Sequence, residues 1–153
     1  MAKALIIKSV KFIDRDGRSV QVICEDEDYT IKISTEATKF VKNCSIGYNI
    51  KTSAGTAVCG TSSAVQGHDI AFEAGQEIVS HFTFRSPLAS GHYFLSAGAA
   101  ELLTPQEEIH NYVMHDFVHD AIPFVAESKS RFDGMVNLNS ELVSVSIVPT
   151  EDR

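Results

Sequence analysis

The sequence predicts an all-β fold, a two-layer β-sandwich of antiparallel strands. Apolar residues return at alternate positions through the middle of the chain: Ile46, Tyr48 and Ile50, then Ile78, Phe82 and Phe84, then Tyr93 and Leu95. A period of two marks strands with one buried face, because successive side chains leave a strand on opposite sides. Gly55, Gly60, Gly67, Gly75 and Gly91 punctuate these runs like the turn signals of a sandwich. At 153 residues the chain suits one such core and is short for two, so residues 1–153 read as a single domain.

Taken in order, Ala4–Ile13 is the first strand, and Asp14-Arg15-Asp16-Gly17 is a hairpin turn in which Gly tolerates positive φ and Asp caps its own backbone. Ser19–Cys24 reads as a short return strand. The acidic run Glu25-Asp26-Glu27-Asp28 reads as a solvated loop, since a calcium loop spreads its carboxylates at alternate positions around a Gly bend. Tyr29, Ile31 and Ile33 alternate with Thr30, Lys32 and Ser34 in a half-exposed strand. Strands follow at Ser45–Lys51, Thr56–Gly60, Asp69–Phe72, Glu77–Arg85 and His92–Ala100. Thr104-Pro105-Gln106-Glu107 has the chemistry of a helix start. The β-formers after it argue for no more than a helical turn, then extended chain through Val125, with Pro123 at a strand edge or bulge. Met135–Leu138 is expected as a brief strand and Leu142–Val148 as the last one.

Charge narrows the partners. With 13 basic and 20 acidic residues the formal charge is -7, which argues against nucleic acid and against docking on an anionic membrane. No apolar run reaches the ~20 residues of a membrane span, and Met1–Lys8 reads as the start of a strand, not a signal peptide. Cys24, Cys44 and Cys59 are odd in number and form no CxxC pair, so reduced, inert thiols in a cytoplasmic protein are expected.

Catalytic motifs are missing from the sequence. There is no GxxxxGK[ST] for a nucleotide, no GxSxG elbow for a serine hydrolase and no HExxH for zinc. No cofactor is expected. His115 and His119, four apart and beside Asp116 and Asp120, would share a face on either a helix or a strand. A metal site there lacks a third ligand at characteristic spacing. Asp116 and Asp120 as a glycosidase pair lack anything that marks one as the buried acid. A metal-dependent glycan hydrolase is therefore the weakest of three readings.

The stronger signal is on the surface. If Tyr93 and Leu95 face the core, His92, Phe94 and Ser96 face outward. By the same parity Gly47, Asn49 and Lys51 face outward beside Ile46, Tyr48 and Ile50, as do His81, Thr83 and Arg85 beside Phe82 and Phe84. An aromatic ring among His, Asn, Ser and Thr suits a sugar, whose CH face stacks and whose hydroxyls hydrogen-bond without net charge. The competing reading is a structural sandwich in which Phe94 lies under a loop or in a dimer seam.

The ordered set I-G-Y-N-I-K, G-T-A-V-C-G-T-S-S, A-G-Q-E, F-T-F, L-A-S-G-H-Y-F-L-S and H-D-A-I-P-F resembles the Wzt family, and more narrowly its C-terminal domain, over roughly Ala4 to Val148. Wzt is the ATP-binding subunit of bacterial O-antigen ABC transporters. The resemblance implies an immunoglobulin-like sandwich that binds the modified non-reducing end of an O-antigen polysaccharide and so licenses export. Its implied partners are that polysaccharide terminus, a nucleotide-binding domain, a membrane subunit and a second copy in a homodimer, with Leu142–Val148 open to exchange between protomers. The implied setting is the cytoplasm at the inner membrane. The nucleotide-binding domain is absent here, so an excised domain is expected. Where relatives carry Gly-Thr-Asn-Thr, this chain has Gly60-Thr61-Ser62-Ser63.

The candidate carbohydrate-binding residues are Asn49, Thr61, Ser62, Arg85, His92, Phe94, Ser96, Tyr112, His115 and His119. Phe94 is expected to stack on a sugar ring, and Asn49, His92 and Ser96 to bond its hydroxyls. Arg85 or Arg131 would meet an anionic terminal cap.

Overall fold

A computed structural model describes residues 3–104 and 108–149, apart from the side chains of residues 108–110. Nine strands make up its regular structure: β1 Leu5–Asp14, β2 Val22–Cys24, β3 Asp28–Ala37, β4 Val41–Thr52, β5 Ala57–Ser62, β6 Ile70–Phe72, β7 Glu77–Arg85, β8 Gly91–Thr104 and β9 Glu108–Glu127. They form two sheets. The smaller is antiparallel in the order β1-β3-β7; the larger runs β2-β9-β8-β4-β5, with β6 beside the start of β4. The all-β sandwich expected from alternation is what the chain adopts. The larger sheet is mixed, because β2 runs parallel to β9.

Aromatic side chains from both sheets meet in the core. The Phe12 ring lies 5.6 Å from Phe84 and 6.1 Å from Tyr29 on its own sheet, and 5.1 Å from Phe124 across the gap. Phe124 in turn stacks on Tyr93. A second cross-gap pair, Tyr48 and Phe82, sits 5.2 Å apart in a T-shape. Such pairs are worth about 0.5–1.5 kcal/mol each beyond the burial of their area. The buried phenols keep their polar ends paired: Tyr93 donates to the Ala89 carbonyl, and the Tyr29 oxygen accepts from the Cys24 amide.

A polar clamp also joins the layers. Asp116 on β9 is buried; its carboxylate accepts from the Ile7 amide at 2.8 Å and from Lys3 Nζ at 2.6 Å. The Ile7 amide is available because β1 slips register against β3 between Ile7 and Ser9. Burial pushes the Asp116 carboxyl pKa up, but the Lys3 hydrogen bond and the backbone amides outweigh it and hold the group below the usual range. Asp116 is thus committed to cross-sheet structure.

Several local expectations are corrected. The first hairpin closes with a single Ile13–Ser19 bridge, after which the chain crosses to the other sheet, so the return strand is only Val22–Cys24 and pairs with β9. Met135–Leu138 contributes one bridge, Val136 to Leu88, in place of a strand. Leu142–Val148 pairs with nothing among the described residues. The helical turn expected near Pro105 lies outside the described residues. Pro123 falls opposite Phe94, just before β9 takes up its pairing with β2 at Val125. The Val125 amide donates toward β2, to Gln21, so the missing donor two residues earlier also faces the side where pairing has yet to begin.

The acidic run does more than face solvent. Glu25 accepts from the Ser130 hydroxyl and amide, the Lys129 amide, the Ser128 hydroxyl and the Asn137 side chain, and so holds the 128–137 loop to the body. Those bonds, the Ser130 hydroxyl foremost, hold its pKa at about 2 against 4.5. A depressed carboxylate stabilises the fold above its unfolded pKa and loses that contribution as pH falls through the folded value. The Lys129 and Ser130 amides are therefore expected to lose hydrogen-exchange protection progressively between pH 4.5 and pH 2. Glu25→Gln should lower that protection at neutral pH and remove its pH dependence in this window.

Candidate glycan-binding face

Cross-strand register builds a trough on the outward face of the larger sheet. One row runs Ser62 on β5, Gly47 on β4, Gly98 on β8 and Phe117 on β9. The two central strands bring no side chain there, while both flanking strands do. In the next row Ser45 pairs with Ala100 and Ala100 with Met114; beyond it Leu102 pairs with Tyr112. The floor is small because Ser45, Gly47, Gly98 and Ala100 share one side of the pleat. The trough is about 230 Å3 in volume, with Asn49, Thr61, Ser62 and Val65 on the β4–β5 side and Leu102, Tyr112, Met114 and Phe117 on the other. No charged side chain lines it.

Two larger, more open hollows, about 520 and 460 Å3 in volume, continue along the same face. The first shares Asn49 and Phe117 with the trough and adds Lys51, Cys59, Ser96 and His119. Here β9 slips register between Val118 and Ile122, opposite Ser96, and Asp120 adopts φ 49°. The Asp120 amide donates to Ser96 Oγ at 2.9 Å, and its carboxylate meets Lys51 Nζ at 2.9 Å. The His119 ring stands edge-on to Phe117 with centroids 4.3 Å apart. The second hollow lies at the far end of β8, between His92, Phe94, Pro123, Val125, Val22 and Ser53. At ~3.3 Å per residue, Phe94 is roughly 13 Å along the strand from Gly98.

The ten candidate residues therefore separate. Asn49, Ser62 and Tyr112 converge on the trough, and His119 borders the adjoining hollow. Thr61 borders the trough too, but it pairs with inward-facing Tyr48 and its hydroxyl accepts from Gln66. Ser96 lies on the same side, but it is buried and its oxygen is taken by Asp120. His92 and Phe94 face outward at the distant hollow, with Phe94 half-buried beside Pro123. His115 falls at a bulge with Nε2 3.1 Å from a Glu101 oxygen, outside the trough. Arg85 sits on the smaller sheet, where Asp28 accepts from its Nε at 2.7 Å. Arg131 is exposed on the 128–137 loop.

Sequence reasoning sought an aromatic among polar groups and so passed over the floor and the β9 wall: Ser45, Gly98, Ala100, Leu102, Met114 and Phe117. The legible signal was the pair of small-x-small segments, Ser45-x-Gly47 and Gly98-x-Ala100, on adjacent strands. Among the described residues no three His, Cys, Asp or Glu side chains are grouped to hold a metal ion. The three cysteines are unpaired, and burial pushes the Cys44 thiol up to about 12. No helix among the described residues is long and apolar enough to cross a membrane.

The floor glycines differ in tolerance. A Cβ at Gly47 would stand 2.6 Å from the Thr61 carbonyl oxygen and 2.7 Å from Ser62 Cβ, both fixed by the ladder. At Gly98 it would meet Met114 Sδ and the Phe117 ring at 3.2 Å, side chains with room to shift. Gly47→Ala is expected to cost about 1–3 kcal/mol in chemical denaturation, and Gly98→Ala distinctly less.

A family model, the Wzt C-terminal domain, matches residues 2–138. A crystal structure of the C-terminal domain of Wzt superposes with a TM-score of 0.83 at 20% identity, covering 94% of this chain and 85% of that one. Weaker likenesses are to a β-glucosidase from Listeria innocua in complex with gluconolactone (TM-score 0.42, 11% identity, 80% of this chain and 15% of that one) and to a structural-genomics target (TM-score 0.41, 12% identity, 88% and 95%). No curated protein matches the sequence. The chain belongs to the Wzt C-terminal domain family.

Proposed function

We propose that this domain binds the modified non-reducing end of an O-antigen polysaccharide without catalysis, and couples that recognition to export by an ABC transporter. Family membership supports the transporter setting. The observation that carries the glycan reading is the Ser62–Gly47–Gly98–Phe117 row, a side-chain-free floor with an aromatic at one wall and a hydroxyl at the other. Tyr112 and Phe117 stack on sugar rings, while Asn49 and Ser62 bond hydroxyls. The hollows at His119 and at His92–Phe94 take further units of the chain. In its full setting the domain works beside a nucleotide-binding domain and a membrane subunit, on the cytoplasmic side of the inner membrane.

The domain acts as a homodimer through its last segment. Leu142, Val143, Val145, Ile147 and Val148 are 78–93% exposed, a large apolar load for free chain. Val143, Val145 and Ile147 alternate with Ser144 and Ser146, the pattern of a half-buried strand. The outer edge of β7 is unpaired among the described residues, and its inward Ile78, Phe82 and Phe84 are only half-covered. A strand from a second copy laid along β7 would cover both surfaces.

Titration with polysaccharide carrying or lacking its terminal modification tests the binding. Tyr112→Ala and Phe117→Ala should each weaken it by about 1–3 kcal/mol, the scale of one stacked ring. Phe94→Ala should have the smaller effect. Unchanged affinity in both β9 variants would refute the trough. For assembly, deleting residues 139–153 should convert a dimer to a monomer in sedimentation without loss of β-sheet circular dichroism. A dimer that survives the deletion would refute exchange.

A further inference from the structure

The chemistry of the two trough walls carries a statement about which sugar occupies it, given that the trough is the glycan site. The β4–β5 side offers hydrogen-bonding groups, the Asn49 amide and the Ser62 hydroxyl, with Val65 at its rim; Thr61, opposite inward-facing Tyr48, turns its side chain to the other side of β5. The β8–β9 side offers carbon and sulfur: Ala100, Leu102, Met114, Phe117 and the Tyr112 ring, whose hydroxyl is that wall's one side-chain oxygen. A hexopyranose lying on the Gly47–Gly98 floor therefore has one edge among hydrogen-bonding partners and the other against an apolar wall.

We propose that the trough selects a neutral 6-deoxyhexose, its ring hydroxyls toward Asn49 and Ser62 and its C5–C6 methyl edge against Met114, Phe117 and Leu102. A 6-hydroxyl placed there would lose water and gain no partner from Met114, Phe117 or Leu102. A 6-carboxylate would fare worse, because no cation lines the trough. Lys51 is roughly 13 Å along β4 from Gly47 at strand spacing and is held by Asp120. Arg85 is on the other sheet, held by Asp28. An apolar wall discriminates modestly against an added hydroxyl and strongly against a charge.

Methyl glycosides of 6-deoxyhexoses, of their 6-hydroxy counterparts of the same configuration, and of the corresponding uronic acids test this, titrated against the intact chain while the amide signals of Gly47, Gly98 and Phe117 are followed. The expected result is that at least one 6-deoxy sugar shifts these signals and binds about tenfold tighter than its 6-hydroxy counterpart, with the uronate not binding there. Met114→Gln, at a position 41% exposed and so tolerant of change, should erase the preference. Equal or tighter binding of the 6-hydroxy sugar or the uronate at these signals overturns the sugar assignment and leaves the trough as the glycan site. Preference unchanged in Met114→Gln overturns the assigned wall. If neither the glycosides nor the polysaccharide moves these signals, the site itself falls.

Discussion

Gly47 opposite Gly98 is the pairing on which the face depends. Hydrogen bonding fixes β4 against β8, and the pleat then sends Ser45, Gly47, Gly98 and Ala100 to one side as a patch of small residues. The register cannot slip by one without burying Asn49 and Lys51 and exposing Ile46 and Ile50, so core and trough are specified together. Because a Cβ at Gly47 would strike the Thr61 carbonyl, the same residue also sets how closely β5 approaches. Close packing of β5 brings Ser62 to the wall.

The sheet behind that face is held in place by unlike devices. Aromatic contacts centred on Phe12 and Phe124 fill the gap toward one end, and Tyr48 with Phe82 bridges it elsewhere. Asp116 adds a directional link, tying β9 to Ile7 on β1 and to Lys3 just before it. Its neighbour in sequence is Phe117, so the residue that locks β9 to the other sheet adjoins the one that forms the trough wall. Glu25 serves a comparable purpose for the 128–137 loop, and that loop leads to the exposed 142–148 segment.

Much of this architecture was legible in the sequence because alternation is a local signal. Ile46, Ile50, Tyr93 and Leu95 are buried as their parity required, and Asn49 and His92 face out. What alternation could not reveal was which outward residues adjoin, since that depends on long-range register. Phe94 looked like the natural platform, yet its row pairs it with Pro123 and Lys51, while the small residues that open a trough lie further along β8. Register slips in β9 moved other candidates. One places His115 beside Glu101, and another turns the Asp120 amide onto Ser96. Arg85 was assigned to an outward face correctly, but on the opposite sheet. Leu142–Val148 has the pattern of a strand and no partner among the described residues, and no single-chain signal supplies one.

Mapping a bound O-antigen terminus onto the domain by amide chemical shifts across both sheets tests the central claim most directly. The account predicts that the largest changes fall on Asn49, Ser62, Gly98 and Tyr112, with β1, β3 and β7 silent. Changes centred on the outer face of the three-stranded sheet, around Lys32, His81 and Arg85, would contradict it.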